Sequence, residues 1–220
     1  MDDTSTVSGQ TLVMNGSIVI TTTGSLTITD SIIIFAGNAG AVSSGDWNIT
    51  VNSGGSLSIT NSKLTTDDPS YRSNLRFNGS SLTIEKATFE YFSYGSAIHI
   101  LGGEVQITDS NISMNAANTA AIYGKDTNNI VVENSVIHTP VGVTGYGVWL
   151  QNCNHSSIMN NNVTLLGSGL GIGVDNSHNI EIIDNYAVVS SGFGAIYVKN
   201  HCTDVLIENN TAYGNNSGAI

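Results

Sequence analysis

Aliphatic residues return along this chain in short runs that alternate with Ser and Thr, and each run is closed by Gly, Asn, Asp or Ser. Residues 24–33, GSLTITDSII, show the unit: an alternating run, a polar corner, a second run. Its central aliphatic recurs as Ile28, Ile59, Ile84, Ile107, Val132, Ile158, Ile182 and Ile207, at spacings of 31, 25, 23, 25, 26, 24 and 25. A second column, Ile18, Ile49, Leu75, Ile98, Ile122, Val148, Ile172, Ile196 and Ile220, keeps the same period, including the long first step. A third lies five positions after the first: Ile33, Leu64, Phe89, Ile112, Ile137, Val163, Ala187 and Ala212. Period-two alternation in short β-branched segments bounded by turn residues predicts strands, and no window carries a helical period. A unit repeated every ~25 residues predicts a solenoid.

The corners are as regular as the strands. Two positions after the first column stand Asp30, Asn61, Lys86, Asp109, Asn134, Asn160, Asp184 and Asn209. Asn and Asp tolerate the left-handed backbone of a tight corner. Parallel stacking of turns ~4.8 Å apart places these residues over one another. Stacked amides can then bond along the axis, and Lys86 is expected to interrupt that ladder with a local irregularity. Asp126, Asn152, Asn176 and Asn200 mark a second corner. Inserts between the third strand and the next turn, at 36–46 and 66–73, are the expected places for specificity.

Composition narrows the partners. The 220 residues carry a net charge of -11 with 10% charged and 40% hydrophobic residues, so disorder is disfavoured. Only six Lys and Arg are present, which speaks against nucleic acid. No run reaches the ~18 apolar residues of a membrane span. The opening MDDTSTV lacks the regions of a signal peptide. Residues 1–15 are expected to form a lead-in or cap and 16–220 the solenoid. Its last turn is expected to be truncated, because residues 218–220 match 194–196. The open turn invites end-to-end self-association through unpaired strand edges.

With these columns in hand, residues 16–220 resemble the right-handed parallel β-helix proteins, a group that includes pectin-active enzymes, phage tailspikes, NosD-type proteins and many microbial surface proteins. The resemblance implies an all-β, single-stranded parallel β-helix of about eight to nine coils. For function it implies little, since the repeat encodes the scaffold. The Gly-His-Gly and Arg-x-Lys segments of polygalacturonase-like enzymes and the Asp-Pro-His-Glu segment of alginate epimerases are missing. The lyase pattern of calcium-binding acids beside Arg or Lys is not met either, because Arg72 and Arg76 lie together early in the chain.

Asp67 and Asp68 are a candidate calcium pair, against the simpler reading of a solvated acidic loop. His155, His178 and His201 recur in one corner region near Cys153, Cys202 and Asp175, but their offsets drift and a vertical row converges poorly on a metal. Cys153 and Cys202 lie two turns apart, ~9.6 Å along the axis. That exceeds the ~7 Å a disulfide allows between Cα atoms, so two free thiols are expected. The outward row beside the second column reads Val19, Thr50, Arg76, His99, Tyr123, Trp149, Gly173 and Tyr197. Ala97, Ala121, Gly147, Gly171 and Ala195, two positions earlier, are expected to face outward and leave this strip unobstructed. Arg76, His99, Tyr123, Trp149 and Tyr197 are therefore the candidate site for a polysaccharide or a surface protein. Sequons at Asn15, Asn48, Asn78, Asn111, Asn154, Asn162, Asn209 and Asn215 are compatible with a secreted glycoprotein, with Asn111 and Asn209 expected to serve corners. The expected function is a non-catalytic extracellular or cell-surface module, structural or adhesive, with carbohydrate contact. The competing expectation is a polysaccharide lyase or glycoside hydrolase whose site lies partly outside this chain.

Overall fold

The computed structural model describes residues 3–37, 47–69, 73–92, 95–114, 119–140 and 142–214. Twenty-four strands and no helix are found among them. Every strand pairing is parallel, and successive turns of roughly 25 residues stack into a solenoid of about eight turns. Among the described residues no helix is long and apolar enough to cross a membrane.

All three aliphatic columns are vertical neighbours. Ile28 pairs in register through Ile59, Ile84, Ile107, Val132, Ile158 and Ile182 to Ile207. Ile18 does so through to Ile196, and Ile33 through to Ala212. Ile220 falls outside the described residues. The columns form one continuous interior in which most members are fully buried. Such burial stabilises by roughly 25 cal/mol per Å² of apolar surface. Thr4–Ser8 and Thr11–Met14 pair with Ser25–Thr29 and Ile32–Phe35, so the segment expected as a lead-in already carries two strands of a turn.

The corner residues Asp30, Asn61, Lys86, Asp109, Asn134, Asn160, Asp184 and Asn209 all have φ between 47 and 56°. Lys86 follows the same backbone as its neighbours, so no backbone irregularity falls there, while its ammonium turns aside to Glu85 Oε1 at 2.8 Å instead of joining the corner ladder. Asp126, Asn152, Asn176 and Asn200 are also left-handed, and a third left-handed column, Asn129, His155, Asn179 and Asp204, follows three residues later, or four in the last turn. The sequon residue Asn209 is thus a corner, whereas Asn111 begins a strand two residues past one.

The main ladder sits one residue further on than expected. Behind the first corner a buried column runs Ser31, Ser62, Ala87, Ser110, Ser135, Asn161, Asn185 and, half-buried, Asn210. Each hydroxyl or amide oxygen accepts the backbone N–H of the turn before: Ser31 to Ser62 Oγ at 3.1 Å, Ser110 to Ser135 Oγ at 3.1 Å, Asn161 to Asn185 Oδ1 at 2.9 Å. The physical reason is solvent. An exposed corner side chain is satisfied by water, while a buried corner N–H needs a protein acceptor. The interruption falls at Ala87, which has no side-chain oxygen to offer Ser62. Exposed ladder bonds also occur: at the first corner, as expected, Asn61 Nδ2 donates to Asp30 Oδ1 at 2.5 Å, and at the second Asn152 Nδ2 donates to Asp126 Oδ1 at 2.6 Å and Asn176 Nδ2 to Asn152 Oδ1 at 2.8 Å.

Cys153 and Cys202 are both free, as their separation requires, with Ser177 between them in one column behind the second corner. The Cys153 N–H donates to Ser177 Oγ at 2.9 Å and the Ser177 N–H to Cys202 Sγ at 3.4 Å. Burial pushes the Cys153 thiol up to about 11.

Towards the later turns the inserts disappear. The third strand and the first strand of the next turn fuse into single strands, Asn162–Asp175 and Tyr186–Lys199. This continuous surface carries a cleft, whereas residues 38–46 and 70–72 of the early inserts lie outside the described residues.

Candidate functional site

The outward row is in register from end to end: Val19, Thr50, Arg76, His99, Tyr123, Trp149, Gly173 and Tyr197 are vertical neighbours. The residues expected to leave it open are placed differently. Ala97, Ala121 and Ala195 are 0% exposed, and a Cβ on Gly147 would lie 2.4 Å from Val163 Cγ1 across the interior. The strand bends at these positions, so two successive residues face inward and the alternation slips by one. Small side chains are needed there because the opposite wall is close. The outward neighbours of the strip are instead Ala120, Tyr146 and Leu170, three residues before it, in register with one another.

The row divides into two parts. His99 stacks on Tyr123 with centroids 4.9 Å apart and planes 19° apart. His99 Nε2 is buried without a hydrogen-bond partner. Burial lowers the His99 pKa, and the positive charges of Arg76 and Lys125 lower it further. Burial raises that of Tyr123, as do Asp126, Cys153 and Asp175. The Tyr123 hydroxyl donates to Gln151 Oε1 at 2.7 Å.

The second part is a cleft of about 260 Å³ lined by Tyr146, Trp149, Leu170, Phe193, Tyr197 and Lys199. Gly173 creates it. A Cβ there would fall 2.4 Å from Trp149 Cε3 and 2.5 Å from Leu170 Cδ2, so the indole lies across the next turn only because that turn has no side chain. Tyr146 sits 5.6 Å from Trp149 at 32°. Leu170 is 1% exposed yet lies outside the solenoid core, beneath these rings. Phe193 is an extra residue: Gly192 pairs with Gly169 and Gly194 with Leu170, which leaves Phe193 bulged and 67% exposed at the rim. Gly192 takes φ 129°, which a residue with a Cβ adopts only under strain.

A polar row runs beside the cleft and reaches it through Lys199. Lys125, Gln151, Asp175 and Lys199 form the row two positions after the strip. Asp175 is 5% exposed. Its Oδ2 accepts Gln151 Nε2 at 3.3 Å and faces Lys199 Nζ at 3.3 Å, and its Oδ1 accepts Asn200 Nδ2 at 2.5 Å. Lys199 Nζ also stands 5.1 Å from the centre of the Trp149 ring. The polar row was not among the expected site residues, although strand alternation places it two positions after the strip. Tyr146 and Leu170 were hidden by the bend, and Phe193 by its bulge.

The remaining candidates are dispersed. His155 occupies a left-handed corner and lies 3.5 Å from Asn179 Nδ2, in register with that residue rather than with His178. His178 Nδ1 is 2.7 Å from Thr203 Oγ1. His155 stands three residues after its corner, His178 two and His201 one, so the three histidines drift because they occupy different register positions. Among the described residues no three His, Cys, Asp or Glu side chains converge on a metal position. Asp67 Oδ1 accepts the Gly37 N–H at 3.0 Å, Asp67 and Asp68 are exposed, and Arg72 lies outside the described residues.

A cleft floored by one indole, walled by further aromatic rings and edged by a lysine ammonium held on a buried carboxylate is suited to stacking on one ring-shaped polar ligand. Its volume is below the ~300–1,000 Å³ of a drug-sized pocket. No curated protein and no solved structure was found to match the chain. The right-handed β-helix region, as a family, matches residues 47–212, three-quarters of the sequence and all of the turns that build the cleft, and the chain belongs to that family.

Proposed function

We propose that this chain is a non-catalytic β-helix module of an extracellular or cell-surface protein, and that it contacts carbohydrate through the cleft at Trp149. The observation that carries this reading is the indole laid over Gly173, with Tyr146, Phe193 and Tyr197 around it and Lys199 at its edge, held there by Asp175, which also accepts from Gln151. Pyranoses present an apolar C–H face and an equatorial rim of hydroxyls, which a flat ring bordered by hydrogen-bonding groups matches. The rigidity of the stacked turns supports it too, since little ordering is needed on binding. Extracellular placement draws on the sequons, of which Asn15, Asn78, Asn111, Asn162 and Asn209 are exposed.

A glycan array followed by calorimetry on the hits tests the proposal. Trp149→Ala is expected to abolish binding, and Tyr123→Ala, one turn outside the cleft, to leave most of it. Binding unchanged in Trp149→Ala sinks the cleft as the site. Release of unsaturated or reducing products would favour the lyase or hydrolase reading instead.

A further inference from the structure

The geometry points to a glycan bearing free amines as the ligand of this cleft, its ammonium taking the place that Lys199 now fills between Asp175 and the Trp149 ring. This rests on the carbohydrate reading and narrows it to a substrate class.

The cleft already holds an ammonium. Lys199 Nζ sits 5.1 Å from the indole centre and 3.3 Å from Asp175 Oδ2, the arrangement by which aromatic rings and a carboxylate bind cations. Any sugar that stacks on that indole face has to move this ammonium aside. The consequence differs by ligand charge. Asp175 is 5% exposed, and a buried carboxylate stripped of its cation is costly. A neutral sugar leaves it stripped, and an acidic sugar adds a second anion beside it. An amino sugar restores the pair and also supplies the cation over the ring. On the lysine's side the exchange costs little, because that side chain is already 36% exposed and can extend into water, so the cost is set by what replaces it at Asp175.

The wider field agrees. The chain carries -11 overall, which draws cationic polymers and repels polyanions. Arg76 and Lys125 act on His99, on the far side of Tyr123, and do not line the cleft.

The test is calorimetry with four trisaccharides: glucosamine, its N-acetylated form, glucose and galacturonate. The glucosamine trimer is expected to bind at least ~5-fold tighter than the N-acetylated one, the scale of a cation–π contact plus a partly buried ion pair. Asp175→Asn should erase that difference. Lys199→Met, which removes the incumbent charge and keeps the stem, should tighten glucosamine binding by ~2–5-fold. Trp149→Ala leaves net charge unchanged, so glucosamine binding that survives it is adsorption to an acidic protein and overturns the inference. Equal affinity for glucosamine and neutral trimers, or preference for galacturonate, overturns the inference and leaves the carbohydrate reading standing. No binding by any of the four overturns both.

Discussion

Replacing Asn185 by Ala would expose how the solenoid is held at its corners. Asn185 is 1% exposed. Its Oδ1 accepts the Asn161 N–H at 2.9 Å and Asn161 Nδ2 at 3.0 Å. Its Nδ2 donates to the Ile158 carbonyl at 2.8 Å, with Ile183 O and Asn210 Oδ1 at 3.0 Å. Alanine leaves the Asn161 N–H without its acceptor and the Ile158 carbonyl without this donor. Two stranded groups at ~1–3 kcal/mol each give an expected loss of about 3–5 kcal/mol. Serine should do much better, because the same column uses it elsewhere: Ser135 Oγ accepts the Ser110 N–H at 3.1 Å and donates to Glu133 O at 2.9 Å. Asn185→Ser keeps the acceptor for Asn161 and is expected to cost about 1–2 kcal/mol. Urea unfolding followed by circular dichroism gives both values, and hydrogen exchange at the Asn161 amide gives the local one. Equal losses for Ala and Ser, or a loss below ~1 kcal/mol for Ala, would refute the assignment of the buried column as the main ladder.

Three further outcomes are expected. Gly173→Ala should shift the Trp149 fluorescence and weaken glycan binding, because the new Cβ would sit 2.4 Å from the indole, with an overpacking cost of about 1–3 kcal/mol on thermal unfolding. The Cys153 thiol, raised from 9.0 to about 11 by burial, favours the protonated native state. The unfolded chain therefore binds fewer protons between those values, and stability present below pH 9.0 is lost as pH rises towards 11, by up to ~3 kcal/mol. Cys153→Ala should flatten that part of the stability profile. His99, depressed mainly by burial, is expected to titrate below the usual histidine range in an NMR pH series. As its neutral form is favoured on folding, its contribution is present above the unfolded pKa and lost on acidification, and Arg76→Ala should move the titration upward.

Much of the site could be read from residue spacing. Arg76, His99, Tyr123, Trp149 and Tyr197 fall in one row because a repeat of constant length returns each outward position to the same place, and register needs only counting. The left-handed corners were legible for the same reason, since Asn and Asp are the residues that accept that backbone. Counting failed wherever the backbone departed from even alternation. The bend at Ala97, Ala121 and Gly147 turned an expected outward row inward and brought Tyr146 and Leu170 to the strip.

Sequence by itself determined the parallel solenoid, the three aliphatic columns, the free thiols and the membership of the outward row, because each is a property of periodicity. Tertiary structure decided which corner residue is buried and so makes the ladder, and that the histidines disperse. It also decided that Gly173, Leu170 and the bulged Phe193 turn a row of rings into a cleft with Lys199 held between Asp175 and Trp149. Those outcomes depend on distances across the stack and on exclusion of water, neither of which a spacing along the chain encodes.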